Sequence, residues 1–127
     1  MLDISSLVYT RLISNEQMKK YLKGSGTTKN DIPSAFPYLY FKTLGEPTIS
    51  SSLQNKQSAI QAAFEITVYD SSSTTKAKQL LFLAADLMQG MGFTMNYGPN
   101  EIDRASTTKA YRWIARFRRT YCEGDII

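Results

Sequence analysis

The sequence predicts an α+β domain: an antiparallel or mixed sheet of about four strands, a long helix packed on one face, and an N-terminal helical segment. Three stretches carry that prediction. From Ser58 to Asp70, Ile60, Ala62, Phe64, Ile66 and Val68 alternate with Gln61, Ala63, Glu65, Thr67 and Tyr69. A period of two sends one set to each face of a strand, and these residue types fit a pleated surface. Asp70-Ser71-Ser72-Ser73-Thr74 then interrupts the alternation, and Ala77, Leu80, Leu81, Ala84, Leu87, Met88 and Met91 recur at helical spacing. Such a helix can lie back on the apolar face of the strand. From Lys109 to Tyr121, Tyr111, Trp113, Ala115, Phe117 and Tyr121 share one parity, and Arg112, Ile114, Arg116 and Arg118 the other. Coiled as a helix, this stretch would gather Tyr111, Ile114, Ala115 and Arg118 but strand Trp113 and Phe117, so it is assigned as a second long strand.

The other elements follow in chain order. Asp3 can cap a first helix with Leu7, Val8 and Leu12 on one stripe, and Ser14 with Gln17 has capping-box spacing for a turn carrying Met18, Tyr21 and Leu22. Ser14-Asn15 fits either a kink or a break, and Gly24 is the expected stop. Gly24 to Asp31 is polar and without period, the pattern of a surface loop. Tyr38 to Leu44, bounded by Pro37 and Gly45-Glu46-Pro47, is a β-forming run with apolar residues on both faces. Thr48 to Lys56 is a serine-rich connection long enough for a protruding hairpin loop. After the helix, Gly90 and Gly92 mark the exit, Phe93 to Tyr97 a short strand, Gly98-Pro99-Asn100 a turn, and Glu101 to Ser106 a loop. Tight links within each strand pair favour hairpins in the order helix, strand, strand, helix, strand, strand.

A chain of 127 residues is expected to form one domain, spanning 1–127, with a single core. Its 43% hydrophobic and 20% charged residues are ordinary for a globular protein and argue against wholesale disorder. No apolar run reaches the ~20 residues of a bilayer span, and no basic region precedes an apolar block near Met1. The expectation is a soluble protein made inside the cell, with no membrane partner. Cys122 is the only cysteine and histidine is absent, which excludes an intrachain disulfide and removes the commonest zinc ligand and general base. Cys122, without a base beside it, reads as a partly buried small apolar residue near a strand end. There is no Walker loop and no serine in a nucleophile-elbow context. Glu101 and Asp103 are too few oxygens to specify a cation site and read as a solvated acidic loop or as ion-pair partners for a neighbouring subunit. Neither enzymatic activity nor a cofactor is expected.

The strongest charge feature is Arg112, Arg116, Arg118 and Arg119, in a chain of net charge +4. On a strand the first three project to one side, spaced about 13 Å and 7 Å apart at ~3.3 Å per residue. Three readings stay open: a solvated face, an inter-subunit surface pairing with Glu65, Asp86 or Asp103, and a nucleic-acid contact. The planar guanidinium fork suits the second, since it can hold a carboxylate bidentately.

The run from Phe36 to Thr48, the strand Ala63 to Tyr69 with its Ser/Thr turn and helix, Gly92-Phe93, and the closing Tyr111 to Arg119 carry a family likeness. In order and spacing over most of the chain they resemble the small tail-terminator or tail-completion proteins of long-tailed bacteriophages and phage-like particles. The resemblance implies a non-enzymatic α+β subunit of a ring, commonly a hexamer, that caps the head-proximal end of the tail tube. It implies as partners copies of the chain itself, the tube protein, neck or connector proteins and, in contractile tails, the sheath. DNA is implied only as a weak contact in the lumen, and the location as the virion, after assembly in the host cytoplasm. On this view Arg112, Arg116, Arg118, Arg119, Glu65, Asp86, Glu101 and Asp103 are inter-subunit or lumen-facing candidates. Two loops would reach for partners, one through Ile49, Ser51, Leu53, Gln54 and Asn55, the other through Asn100 and Arg104. A head-tail connector of the same assembly and a free-standing nucleic-acid-binding module are the alternatives.

Overall fold

The computed structural model describes residues 3–27, 35–45, 48–51, 57–102 and 110–127. In chain order its elements are α1 (Ser5–Ser14), α2 (Glu16–Tyr21), β1 (Gly24–Gly26), β2 (Tyr38–Gly45), β3 (Thr48–Ser51), β4 (Gln57–Asp70), α3 (Thr74–Gly90), β5 (Thr94–Ile102) and β6 (Tyr111–Cys122). The fold is α+β. The strands form one sheet in the order β1-β2-β4-β6-β5, with β3 also paired to β4. It is mixed only because β1 runs parallel to β2; every other pairing is antiparallel.

β4 is the axis of the sheet. Its alternation does what a period of two requires: Ile60, Ala62, Phe64, Ile66 and Val68 are fully buried on the helix side. On one flank it pairs with β6 without a break, from Ala59 opposite Cys122 to Asp70 opposite Tyr111, so the arginine-bearing stretch is a strand. On the other flank β2 and β3 lie end to end, from Tyr38 opposite Tyr69 to Ser51 opposite Gln57. The first half of the expected serine-rich loop is therefore ladder, and residues 52–56 of it fall outside the described set. At 14 residues β4 extends about 46 Å, whereas the 17-residue α3 covers only about 26 Å.

All three helices sit on one side. Phe64 is flanked there by Phe41 and Phe93, with ring centroids 4.9 and 5.6 Å away. Leu81, Ala84 and Met88 of α3 and Val8, Leu12 and Met18 of the N-terminal helices close the same core. Ser73 caps α3 by accepting from the Lys76 N–H. The helix leaves through a Schellman motif, in which Gly92, at φ +87°, donates to Gln89 O and Phe93 to Met88 O, both at 3.0 Å.

Four local expectations change. The N-terminal segment is two helices, and the cap of the second is Asn15, not Ser14: Asn15 Oδ1 accepts from the N–H groups of Gln17 and Met18 at 3.0 and 3.3 Å. Ser14 is still helical, so its hydroxyl turns back to Arg11 O. Asp3 does bond the first turn, accepting from Ser5 N, although Ile4 holds the cap position itself. Gly24 is not a helix stop, because α2 ends at Tyr21 and Gly24 to Gly26 pair with Tyr38 to Tyr40. Gly98-Pro99-Asn100 is not a turn but the bulged middle of β5, where the register slips between Met95 and Tyr97 and again before Asn100. Proline is tolerated there because β5 is an edge strand and its missing N–H breaks no ladder bond. Replacing Asn15 with alanine should cost about 1 kcal/mol in urea unfolding, the usual loss for an N-cap.

Candidate functional site

The side of the sheet away from the helices is the broadest feature that the core does not use. Register alone decides which side chains stand on it. Tyr38, Tyr40 and Lys42 of β2 lie beside Tyr69, Thr67 and Glu65 of β4, and these lie beside Arg112, Ile114 and Arg116 of β6. Arg118 follows opposite Ala63, and Tyr97 of β5 completes the row opposite Arg116. No described helix covers this side, yet Thr67, Tyr69 and Ile114 are nearly buried, forming a floor among the longer arginines and tyrosines.

The arginine stripe exists, and of the carboxylates expected to answer it Glu65 does so, but within the protomer. Arg116 Nε donates to Glu65 Oε2 at 2.9 Å within the same chain and stacks over the Tyr97 ring at 4.8 Å. Glu65 is thus taken up inside the protomer, because β4 and β6 bring it directly opposite Arg116. The Arg112 guanidinium bonds the Tyr69 phenol. Burial, opposed by Arg112, raises the pKa of Tyr69 above the ordinary 10.0, and burial with the neighbouring Tyr9 and Tyr40 raises that of Tyr38. Both phenols are therefore hydrogen-bond donors throughout the neutral range. Arg118 can donate through Nε and Nη1 to the Gln61 amide oxygen, each at 3.3 Å once that amide is oriented to accept.

Arg119 points the other way. It donates to Met91 O at 2.6 Å and pairs with Asp125 at 3.4 Å, which locks the exit of α3 to the end of β6. It is a structural clamp, and its 14% side-chain exposure leaves little for a partner. Asp86 is exposed on α3, across the sheet from the stripe it was expected to face. Glu101 accepts from the Thr74 hydroxyl, which itself accepts from Trp113 Nε1 at 2.8 Å. That chain ties β5 and β6 to the first turn of α3 and places a carboxylate at a helix N-terminus, so Glu101, though exposed, belongs to a strand and not to a loop. Asp103, Leu53, Gln54, Asn55 and Arg104 lie outside the described residues. Ile49 and Ser51 belong to β3, and Asn100 stands exposed on the bulged edge strand. Cys122 is exposed, not partly buried, although Ala59 opposite it on β4 and the adjacent Ile60 are both buried.

Among the described residues no three His, Cys, Asp or Glu side chains gather as a metal site would require. No described helix is long and apolar enough to cross a membrane. What the uncovered face offers chemically is an array of tyrosines and arginines around the nearly buried Thr67, Tyr69 and Ile114. Those two residue types are the ones enriched where proteins meet proteins, since they combine large contact area with directional hydrogen bonds. No known protein-family model matches this chain. A comparison with curated proteins finds no similar sequence.

Proposed function

We propose that the protein is a non-enzymatic structural subunit that assembles into a ring, a hexamer, at the head-proximal end of a phage or phage-like tail tube and joins the tube to the neck. The observation that carries the reading is the uncovered face of the sheet, where Tyr38, Tyr40, Tyr97, Arg112, Arg116 and Arg118 stand with no described helix over them. The likeness in element order and spacing to tail-terminator proteins supports the same reading. Protein is favoured over nucleic acid as the partner of this face because Arg112, Arg116 and Arg118 each have an acceptor within the chain. A guanidinium already holding a carboxylate or phenol contributes less to a phosphate than a free one.

The test is decoration of one end of purified tail tubes, seen by electron microscopy. The parent chain should cap tube ends, and the triple variant Arg112→Ala/Arg116→Ala/Arg118→Ala should leave them bare while staying folded by circular dichroism. The same pair of proteins, titrated with short duplex DNA at low salt, should show no tight binding. Tight binding that falls steeply with added salt, and that disappears in the triple variant, would convert the reading into a nucleic-acid module. Capping of heads in place of tails would make the protein a connector.

A further inference from the structure

On the helix side, at the end of the sheet where β4 finishes, a cleft of about 610 Å³ opens between α2, the Phe36-Pro37 segment and the first turns of α3. Its rim carries Lys20, Lys23 and Lys76, all exposed, and its walls include Phe36 and Leu83. Asp70 is on its floor, 3% exposed; Oδ1 accepts from Ser72, but Oδ2 is buried with no hydrogen-bond partner. Buried carboxylate oxygens are rarely left without a donor, since the loss of hydration is otherwise uncompensated. Three ammonium groups against one carboxylate also leave the cleft positive. It is shaped for something that brings negative charge to the rim, apolar surface to the walls and an N–H to the floor.

The same chain presents such a shape at its other end. Beyond β6, Glu123-Gly124-Asp125 turns so that Asp125 N donates to Cys122 O. The turn leaves Ile126 90% exposed, the most exposed large apolar side chain among the described residues. Asp125 is occupied by Arg119 and by the Cys122 N–H, while Glu123 is exposed beside it. The turn and the cleft cannot meet within one protomer. Cys122 is opposite Ala59, eleven residues along β4 from Asp70, a separation of about 36 Å.

We infer that the cleft at the Asp70 end receives the Glu123–Ile126 turn of a second copy, with Ile126 against Phe36 and Leu83, Glu123 at the lysine rim and a peptide N–H of the turn directed at Asp70. Opposite ends of one molecule then join head to tail. A heterologous contact of that kind closes into a ring when its rotation allows. The inference deepens the ring reading and rests on it for closure, while assigning self-contact to a surface separate from the tyrosine–arginine face.

Two variants test it. Ile126→Asp spoils the turn and keeps the cleft, whereas Lys20→Glu/Lys23→Glu spoils the cleft and keeps the turn. In sedimentation velocity the parent should form multimers, and each variant alone should weaken self-association by about 30-fold or more, the effect of losing one interface hot spot. Mixed in equal amounts, the two variants should form a heterodimer and nothing larger, because one good cleft and one good turn remain between them. Heterodimer formation also proves that both are folded. A parent that stays monomeric, variants that assemble as the parent does, or a mixture that stays monomeric overturns the inference. Tube-end decoration by the parent is scored separately, so the ring reading can stand if this contact fails, and bare tube ends beside an intact heterodimer would reject the tail assignment alone.

Discussion

Replacing Phe64 with alanine is expected to lower the unfolding free energy by about 3–5 kcal/mol, the range for emptying a buried aromatic site. Phe64 is fully buried in the middle of β4, with Phe41 and Phe93 on either side of its ring. Those neighbours come from β2 and from the exit of α3, so neither can move into the vacated space without shifting an element that is fixed elsewhere. A domain of this size has about 5–15 kcal/mol in total, so the variant retains a small margin and should unfold at markedly lower urea concentration. Near-ultraviolet circular dichroism would follow the same loss through the aromatic cluster. A shift of less than about 1 kcal/mol would mean that the three rings do not form the centre of the core.

The second large effect concerns Gly98. It sits in the bulge of β5 at φ +87°, a conformation that costs L side chains dearly. A Cβ there would lie 2.5 Å from Ile114 O and 3.0 Å from the Ala115 Cα, both backbone atoms of β6 that cannot swing aside. Strain and overlap together should make Gly98→Ala cost about 2–4 kcal/mol. Loss of hydrogen-exchange protection should concentrate in β5 and the facing part of β6. Gly90 supplies the contrast: it is the last residue of α3, its φ is not positive, and a Cβ would meet nothing within 4 Å. Gly90→Ala should therefore be neutral or raise stability by up to about 1 kcal/mol, through better helix propensity and a less mobile unfolded chain. Equal losses for the two substitutions would contradict the bulge geometry.

How much of this was legible in the chain depended on length and period. β4, β6 and α3 each repeat their apolar residues often enough for one face to be identified without knowing what covers it. β1 and β3 are three and four residues long, Gly-Ser-Gly and Thr-Ile-Ser-Ser, and contain no alternation to detect. They are strands because a neighbouring edge was available to pair with, a non-local fact. Gly98-Pro99-Asn100 misled for a different reason: the residues that permit a turn are those that permit a bulge, and only the pairing partner separates the two. The common face of Arg112, Arg116 and Arg118 followed from parity. That Glu65 would answer Arg116 within the chain required the β4–β6 register, which no local pattern encodes. The same holds for the Asp70 cleft, assembled from positions near 20, 36, 70 and 80, and for Arg119, whose partners Met91 and Asp125 come from two other segments.

The overhang of β4 beyond α3 has a mechanical consequence. At Ile60 the ladder is still three strands wide, with Thr48 on one flank and Tyr121 on the other. What extends past the helix at that level is a stiff beam continuous with the centre of the molecule. A protein gripping it would have little disorder to suppress, and a sideways load at its far end would pass along β4 into the Phe41–Phe64–Phe93 cluster as torque.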